Sequence, residues 1–124
     1  MRKSYSRTKR TNQSYKKIGG EWTTIKIGDY TFNGPYMSTD SIEDRSGVYA
    51  VLCQKEDKYY LVDVGESAQV KSRLDTHDRK DCWKRNCQGT LTYSVYYTPH
   101  LQQDGRMEIE QKIRAQYSLP CGET

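Results

Sequence analysis

Apolar and polar positions change their spacing several times along this chain, and each change marks an element. Residues 47–54 are apolar on both alternating faces, which is typical of a strand covered on both sides. After a polar turn, residues 59–64 predict a returning strand that pairs with the first. Alternation divides the side chains of the returning strand between two faces, with Tyr60, Val62 and Val64 on one and Tyr59, Leu61 and Asp63 on the other.

Helical spacing follows in two places. Residues 67–76 predict a first helix that Ser67 can cap, and residues 104–117 predict a final one that ends before Pro120. Each helix has an apolar pair four residues apart, Val70 and Leu74 in the first and Ile109 and Ile113 in the second. Between them, residues 78–88 suit a short helix or a loop, and the β-branched and aromatic residues of 90–97 predict a third strand.

An additional hairpin is predicted before these elements. Residues 22–27 read as a strand, Gly28-Asp29 as a turn and residues 30–32 as a short return, and a loop is expected at residues 33–35. The order is hairpin, helix, strand, helix, with the extra hairpin in front. This order predicts an α+β domain over residues 18–124, in which a small mixed or antiparallel three-stranded sheet is flanked by helices.

Basic charge is concentrated at the N-terminus. Residues 1–17 hold seven Lys and Arg and no acid, so subtracting +7 from the net +4 leaves −3 for the rest of the chain. With no apolar periodicity, this arm is expected to be disordered and to suit a polyanion such as nucleic acid. A simple solvated extension or a localisation signal are the alternatives.

The four cysteines form no Cys-x-x-Cys pair, and the N-terminus lacks the apolar segment of a signal peptide. No stretch approaches the length of a membrane span. We therefore expect a cytoplasmic protein with reduced thiols that does not enter a membrane. A zinc site is a weaker hypothesis, because its candidate ligands are more widely spaced than in common structural zinc sites: His77, Cys82 and Cys87, with Cys121 or His100.

Candidate chemistry gathers around the predicted strand pair and the two helices. Arg73 and His77 are four residues apart and leave the same helix face, while Tyr49 lies on the adjoining strand. Glu110 borders the apolar stripe of the last helix, where its carboxylate could face a cleft. Phosphodiester hydrolysis uses these groups, because a carboxylate can hold a divalent cation, a guanidinium can stabilise developing charge, and a hydroxyl or imidazole can orient water.

The ordered pattern resembles the GIY-YIG nuclease family over about residues 45–122. Gly47-Val48-Tyr49 stands for the first motif and Asp63-Val64-Gly65-x-Ser67 for the second. Arg73 and His77 follow at the family's spacing, and the last helix matches through Glu110, Ile113, Tyr117 and Pro120. Each piece alone is weak, whereas their common order is more specific.

The resemblance implies a role for each matched residue. Tyr49 would help to activate the attacking water, Arg73 would stabilise the pentavalent phosphate, and His77 would assist by hydrogen bonding or proton transfer. Glu110 would bind a single Mg²⁺ or Mn²⁺. The chain would then be a metal-dependent endonuclease acting on nucleic acid, most naturally DNA, as a monomer or a dimer.

One residue departs from the family pattern. Asp63 stands where the second motif has a tyrosine, and a carboxylate cannot donate a phenol's proton; it could add a metal ligand or hold Arg73. Tyr59, on the same predicted face, could supply a ring nearby. The departure leaves room for a catalytically inactive nucleic-acid-binding module, or for a small interaction protein that uses its tyrosines.

Each site residue also has a purely structural interpretation. Tyr49 could be a core ring, Arg73 could pair with Asp75 or Asp78, and Glu110 could pair with Arg114 or Arg106. Nucleic-acid contacts are expected from the arm and from a local patch near the site, in which Lys84 and Arg85 also lie: Arg7, Lys9, Arg10, Lys16, Lys17, Lys71, Arg79 and Lys80.

Overall fold

The computed structural model describes residues 23–122, and strands dominate these residues. The strands are β1 (Thr24–Ile27), β2 (Tyr30–Tyr36), β3 (Gly47–Lys55), β4 (Lys58–Ser67) and β5 (Thr90–Tyr97). The helices are α1 (Val70–Asp75), α2 (Lys80–Arg85) and α3 (Gln103–Gln116), and a 3-10 turn spans Thr39–Ser41. The expected strand at residues 90–97 is confirmed, residues 78–88 contain a helix, and Val70 and Leu74 are buried as expected.

All five strands form one curled antiparallel sheet in the order β1-β2-β5-β3-β4. The prediction of a three-stranded sheet flanked by helices is therefore wrong. The N-terminal hairpin is part of the same sheet, because β2 pairs with β5 through Asn33 opposite Val95 and Tyr36 opposite Tyr93. Periodicity identifies a strand but does not tell which distant strand it will pair with.

The expected loop at residues 33–35 is also wrong, since β2 continues through it. A register shift between Asn33 and Tyr36 inserts one extra residue opposite β5. Gly34 has a φ of +111°, a backbone conformation that side chains disfavour. The Gly-Pro pair thus marks a bulge within a strand.

Side chains of β3 alternate between two cores, one on each face of the sheet. Val48, Ala50 and Leu52 contact Ile109 and Ile113 of α3, and we call this side the α3 face. On the opposite side, which we call the site face, odd-numbered β3 residues pack with α1 and α2: Tyr49, Val51 and Cys53 against Val70, Leu74 and Trp83. The candidate chemistry of β3 lies on the site face.

A bulge in β4 changes which of its residues reach the site face. Val51 lies opposite Asp63 and Leu52 opposite Leu61, so Val62 is the extra residue. Leu61 and Val64 then belong to the α3 face, while the consecutive Val62 and Asp63 both face α1 and α2. The expected strict alternation fails here, and Tyr59 packs against the α3-face core, away from Asp63.

The cysteines are paired, which corrects the expectation of reduced thiols. Cys53 bonds to Cys87, and Cys82 bonds to Cys121. Because all four sulfur atoms are in disulfides, the thiolates that the zinc hypothesis requires are not available. Within residues 23–122, no helix has the length and apolar character needed to cross a membrane.

Candidate active site

Tyr49 is the central side chain of the site and is almost fully buried, with 1% of its surface exposed. It stands on β3 opposite Gly65 of β4. A Cβ atom added to Gly65 would lie 2.2 Å from the Tyr49 hydroxyl oxygen, so the glycine provides the space that the phenol fills. The Tyr49 ring can therefore occupy this position only because residue 65 is a glycine and has no side chain.

His77 follows α1 and is joined to Tyr49 by a hydrogen bond of 2.7 Å between Nε2 and the hydroxyl oxygen. Its other ring nitrogen, Nδ1, accepts the backbone N–H of Arg79 at 3.0 Å. Nδ1 also lies 3.2 Å from the carboxylate of Asp78, which is exposed and pairs with Arg73 as well. The backbone N–H of Arg79 is the nearer neighbour and can only donate, so it places a lone pair on Nδ1 and the proton of the neutral ring on Nε2. We infer that His77 donates to Tyr49, whose own hydroxyl proton is then directed elsewhere.

Burial and neighbouring charge keep both rings neutral at pH 7. Loss of solvation, together with the cationic Arg73 and Arg79, lowers the pKa of His77 to about 4. Loss of solvation also raises the pKa of Tyr49 to about 12, with the Asp63 charge adding to the increase. Tyr49 is thus a hydrogen-bond donor at neutral pH and is not a phenolate.

Arg73, on α1, lies beside Tyr49, where its charge and a side-chain hydrogen bond oppose the rise in the Tyr49 pKa. It also pairs with Asp78 at 3.4 Å, one of the two structural partners expected for it. Both side chains of that pair are partly open to solvent, so the pair is weak. Arg73 is therefore free to turn toward an anionic ligand without a large loss of stability.

Asp63 is fully buried and accepts hydrogen bonds from several elements. Its Oδ2 accepts from Arg79 Nε at 2.9 Å and from the Trp83 indole at 2.8 Å. Its Oδ1 accepts from Arg114 Nη2 at 2.9 Å and from the backbone N–H of Val64 at 2.8 Å. The expectation that Asp63 would hold Arg73 is corrected, because two other arginines take that place. With its oxygens occupied in this way, Asp63 is a poor candidate for a metal ligand.

Arg114 connects α3 to the opposite face of the sheet by passing the edge of β4. Besides Asp63, it donates to the carbonyl oxygen of Val64 and, through Nε, to Glu110 Oε2 at 3.1 Å. Glu110 thus has one of the structural partners expected for it. A continuous series of hydrogen bonds joins the predicted site residues through Arg79 and Arg114: Glu110, Arg114, Asp63, Arg79, His77 and Tyr49.

Whether Glu110 can hold a metal ion depends on the oxygen and nitrogen ligands that surround it. Among residues 23–122, no group of three or more His, Cys, Asp or Glu side chains is arranged to hold a metal. Mg²⁺, however, commonly binds proteins through one or two carboxylates and keeps several waters. Glu110 is partly open to solvent and Arg114 has Asp63 as a second partner, so the carboxylate can leave Arg114 for a cation. A single-carboxylate site is compatible with these residues.

The cations expected to bind nucleic acid fall into two groups. Those of the arm (Arg7, Lys9, Arg10, Lys16 and Lys17), like the expected disorder of the arm, lie outside the described residues. Of the local group, Lys71 bonds to the Thr39 carbonyl at 3.1 Å and Lys80 to the Asp75 carbonyl at 2.7 Å, while Arg79 is held by Asp63. Lys80 is exposed, and Lys71 and Arg79 are partly exposed; Lys71 lies on α1, Lys80 on α2, and Arg79 directly before α2.

Reasoning from the sequence missed Trp83 and the contacts of Arg114 with Asp63. Trp83 is 1% exposed and packs against His77 at a tilt of 48°, with 4.8 Å between the ring centroids, so one ring contacts both His77 and Asp63. Trp83 lies between two cysteines, and its helix is only six residues long. The signal that could have identified it is the presence of a large aromatic residue in an otherwise charged segment.

Comparison with known proteins adds no relationship to this geometry. No family model matches the chain, and no curated protein and no solved structure matches it.

Proposed function

We propose that this protein is a metal-dependent endonuclease that hydrolyses phosphodiester bonds in DNA. The observation that carries the proposal is the hydroxyl of Tyr49, which is hydrogen-bonded to His77 and lies beside Arg73. These are the three residues that the resemblance to GIY-YIG nucleases assigns to water activation and charge stabilisation. Tyr49 comes from β3, and Arg73 and His77 come from α1 and the residues just after it, so two separate parts of the sequence meet at one point.

The charges around Tyr49 suit a phosphodiester. Because His77 is neutral at pH 7, Arg73 and Arg79 supply the positive charge, and Arg73 can turn from Asp78 toward a non-bridging phosphate oxygen. Because the Tyr49 hydroxyl does not donate its proton to His77, it can donate that proton to a water or to the phosphate. In this role Tyr49 positions the nucleophile by donating a hydrogen bond.

Glu110 would hold the divalent cation, Mg²⁺ or Mn²⁺. A bound divalent cation neutralises phosphate oxygens and lowers the pKa of a coordinated water. Arg114, which contacts both Glu110 and Asp63, keeps the carboxylate near the rest of the network until a cation takes it. The basic arm, together with Lys71, Arg79 and Lys80, would attract the DNA backbone in a manner that salt weakens.

The experiment is a plasmid-cleavage assay with purified protein in Mg²⁺ or Mn²⁺, comparing two variants with two matched controls. Arg73→Ala is compared with Arg45→Ala, which changes an exposed arginine that also belongs to an ion pair. Glu110→Gln is compared with Glu108→Gln, an exposed glutamate two residues earlier in α3. We expect nicking to fall at least about 100-fold in the first of each pair, as when one transition-state contact is lost, and to persist in each control.

Equal cleavage by Arg73→Ala and Arg45→Ala would contradict the proposed site. Salt-sensitive binding of DNA without cleavage in any divalent cation would instead identify a nucleic-acid-binding module. Failure to bind nucleic acid at low salt would favour the interaction protein.

A further inference from the structure

Asp63 occupies the position at which the sequence departs from the nuclease pattern, and its surroundings suggest a different task. Its side chain has no exposed surface, and donors reach it from β4, from α2 and its N-terminal flank, and from α3. A buried carboxylate that lacked partners would be strongly destabilising. The surroundings of Asp63 therefore stabilise a negative charge. A neutral tyrosine at this position would face two guanidinium groups, those of Arg79 and Arg114.

Arg79 links Asp63 to the catalytic pair in two ways. Its guanidinium is fixed by Asp63, with Nε at 2.9 Å from Oδ2 and Nη2 at 3.4 Å from Oδ1. Its backbone N–H donates to His77 Nδ1 at 3.0 Å. Because Arg79 precedes α2, a helix of only six residues, its side-chain anchor helps to fix the position of that backbone N–H.

The same contact decides the state of His77. With Nδ1 accepting the Arg79 backbone N–H, the ring proton is on Nε2, which faces the Tyr49 hydroxyl at 2.7 Å. Without that N–H, the Asp78 carboxylate, 3.2 Å from Nδ1, would favour a proton on Nδ1. If the ring took the other tautomer, Nε2 would accept from Tyr49 and the hydroxyl proton would turn toward His77. The position of Arg79 thus decides in which direction the Tyr49 proton points.

We propose that Asp63 is a positioning residue that acts through Arg79 and His77 to direct the hydroxyl proton of Tyr49 away from His77. The proposal rests on the proposed function for its effect on catalysis, where that proton orients the attacking water. Its structural part, the control of the His77 tautomer, can be measured without any substrate.

The test is nitrogen NMR of the imidazole rings in ¹⁵N-labelled full-length protein. The chain has only two histidines, so exposed His100 serves as an internal reference. The wild type should show His77 as one tautomer, with two well-separated nitrogen signals and the proton on Nε2. In Asp63→Asn, the two His77 nitrogen signals should move toward each other as both tautomers become populated, while His100 is unchanged.

Two further variants separate this role from a general loss of packing. Glu66→Gln removes the negative charge from another largely buried arginine–carboxylate pair of β4, between Glu66 and Arg106 at 2.8 Å, and should leave the His77 signals as in the wild type. Arg79→Lys keeps the charge and the backbone N–H but loses the two-point contact with Asp63. It should shift His77 in the same direction as Asp63→Asn, and it provides the answer if Asp63→Asn does not fold.

On DNA cleavage, Arg79→Lys and Asp63→Asn should lower kcat about tenfold or more while KM stays within about twofold, because positioning is lost and binding is kept. A wild-type tautomer of His77 in Arg79→Lys and in any folded Asp63→Asn protein would overturn the proposal. So would the same shift in Glu66→Gln. If the wild type does not cleave DNA, the proposed function fails, and the NMR comparison still decides whether Asp63 controls His77.

Discussion

The two faces of the sheet are stabilised in different ways. The α3 face is covered by one helix of fourteen residues, which contributes Ile109 and Ile113 to an apolar core. The site face is covered by two helices of six residues each, and it contains both disulfides together with Tyr49, His77 and Asp63. The α3 face depends mainly on hydrophobic burial, whereas the site face adds covalent links and buried hydrogen bonds to its apolar core.

This difference shows what a polar site requires of its surroundings. Six-residue helices have little stability of their own, and a face with buried polar groups loses part of the hydrophobic contribution that would otherwise hold them. The disulfide from Cys53 ties the end of α2 to β3, and the one from Cys82 ties α2 to the C-terminal segment. The cross-links thus stabilise the side of the sheet on which packing alone is weakest.

The largest effect is expected from removing the disulfides. They close loops of 34 and 39 residues, so the chain-entropy relation gives about 4 kcal/mol for each. Cys82→Ser/Cys121→Ser should lower the free energy of unfolding by about that amount in urea denaturation. Reduction of the wild type with a dithiol breaks both disulfides and should lower it further, and the four-serine variant should be insensitive to the dithiol.

Hydrogen exchange read by mass spectrometry then tests the contrast between the faces. After reduction, exchange should increase in residues 77–87 and 119–122 and stay slow in α3. A uniform increase over the whole sheet would show that both faces depend equally on the cross-links.

A smaller loss of stability is expected from a cavity on the α3 face. Ile113 is 1% exposed, so Ile113→Ala should cost about 3 to 4 kcal/mol in urea unfolding. Lys112→Ala, at an exposed position of the same helix, should change stability by less than about 0.5 kcal/mol. Cleavage per folded molecule should remain near wild type for both, since neither side chain belongs to the series of hydrogen bonds from Glu110 to Tyr49. A selective loss of cleavage in Ile113→Ala would mean that the faces are coupled.

The smallest effect is an acid-dependent loss of stability on the site face. The pKa of His77 is about 4 in the folded protein and about 6.5 in an unfolded chain, so between these values the unfolded state binds more protons. The stabilising contribution of neutral His77 is complete above pH 6.5 and is lost as the pH falls to 4, by about 2 to 3 kcal/mol in total.

Urea unfolding from pH 7 to pH 4 checks this expectation. His77→Gln should flatten the decline relative to wild type, whereas His100→Gln, at an exposed position, should retain it. An equal slope in all three proteins would show that burial of His77 does not determine the acid sensitivity.

Several elements could be predicted from the sequence because their signals are local. Residues 47–54 are apolar on both faces and form the strand between β4 and β5, and Val70 and Leu74 are buried at helical spacing. The pairing of β2 with β5 could not be predicted, since it joins segments about sixty residues apart. Nor could the disulfides, because four cysteines allow three pairings and reduction was the simpler expectation.

The candidate site was predictable only in part. Tyr49 and His77 were expected together and are joined directly. Their partner Arg79 was expected only to contact nucleic acid, because its role depends on a bulge at Val62 that turns Asp63 to the site face. A bulge inserts a single residue and leaves no clear trace in an alternating pattern, so the partners of Asp63 could be found only from the three-dimensional structure.

The two disulfides have a further consequence for the integrity of the chain. The segment from Cys53 to Cys87 overlaps the segment from Cys82 to Cys121. A protease that cuts once anywhere between residues 53 and 121 therefore leaves two pieces joined by at least one sulfur–sulfur bond. Such a nicked molecule would separate into two fragments in denaturing gel electrophoresis only after reduction. Without reduction, Tyr49 and Glu110 would stay in one covalently linked molecule despite the broken backbone.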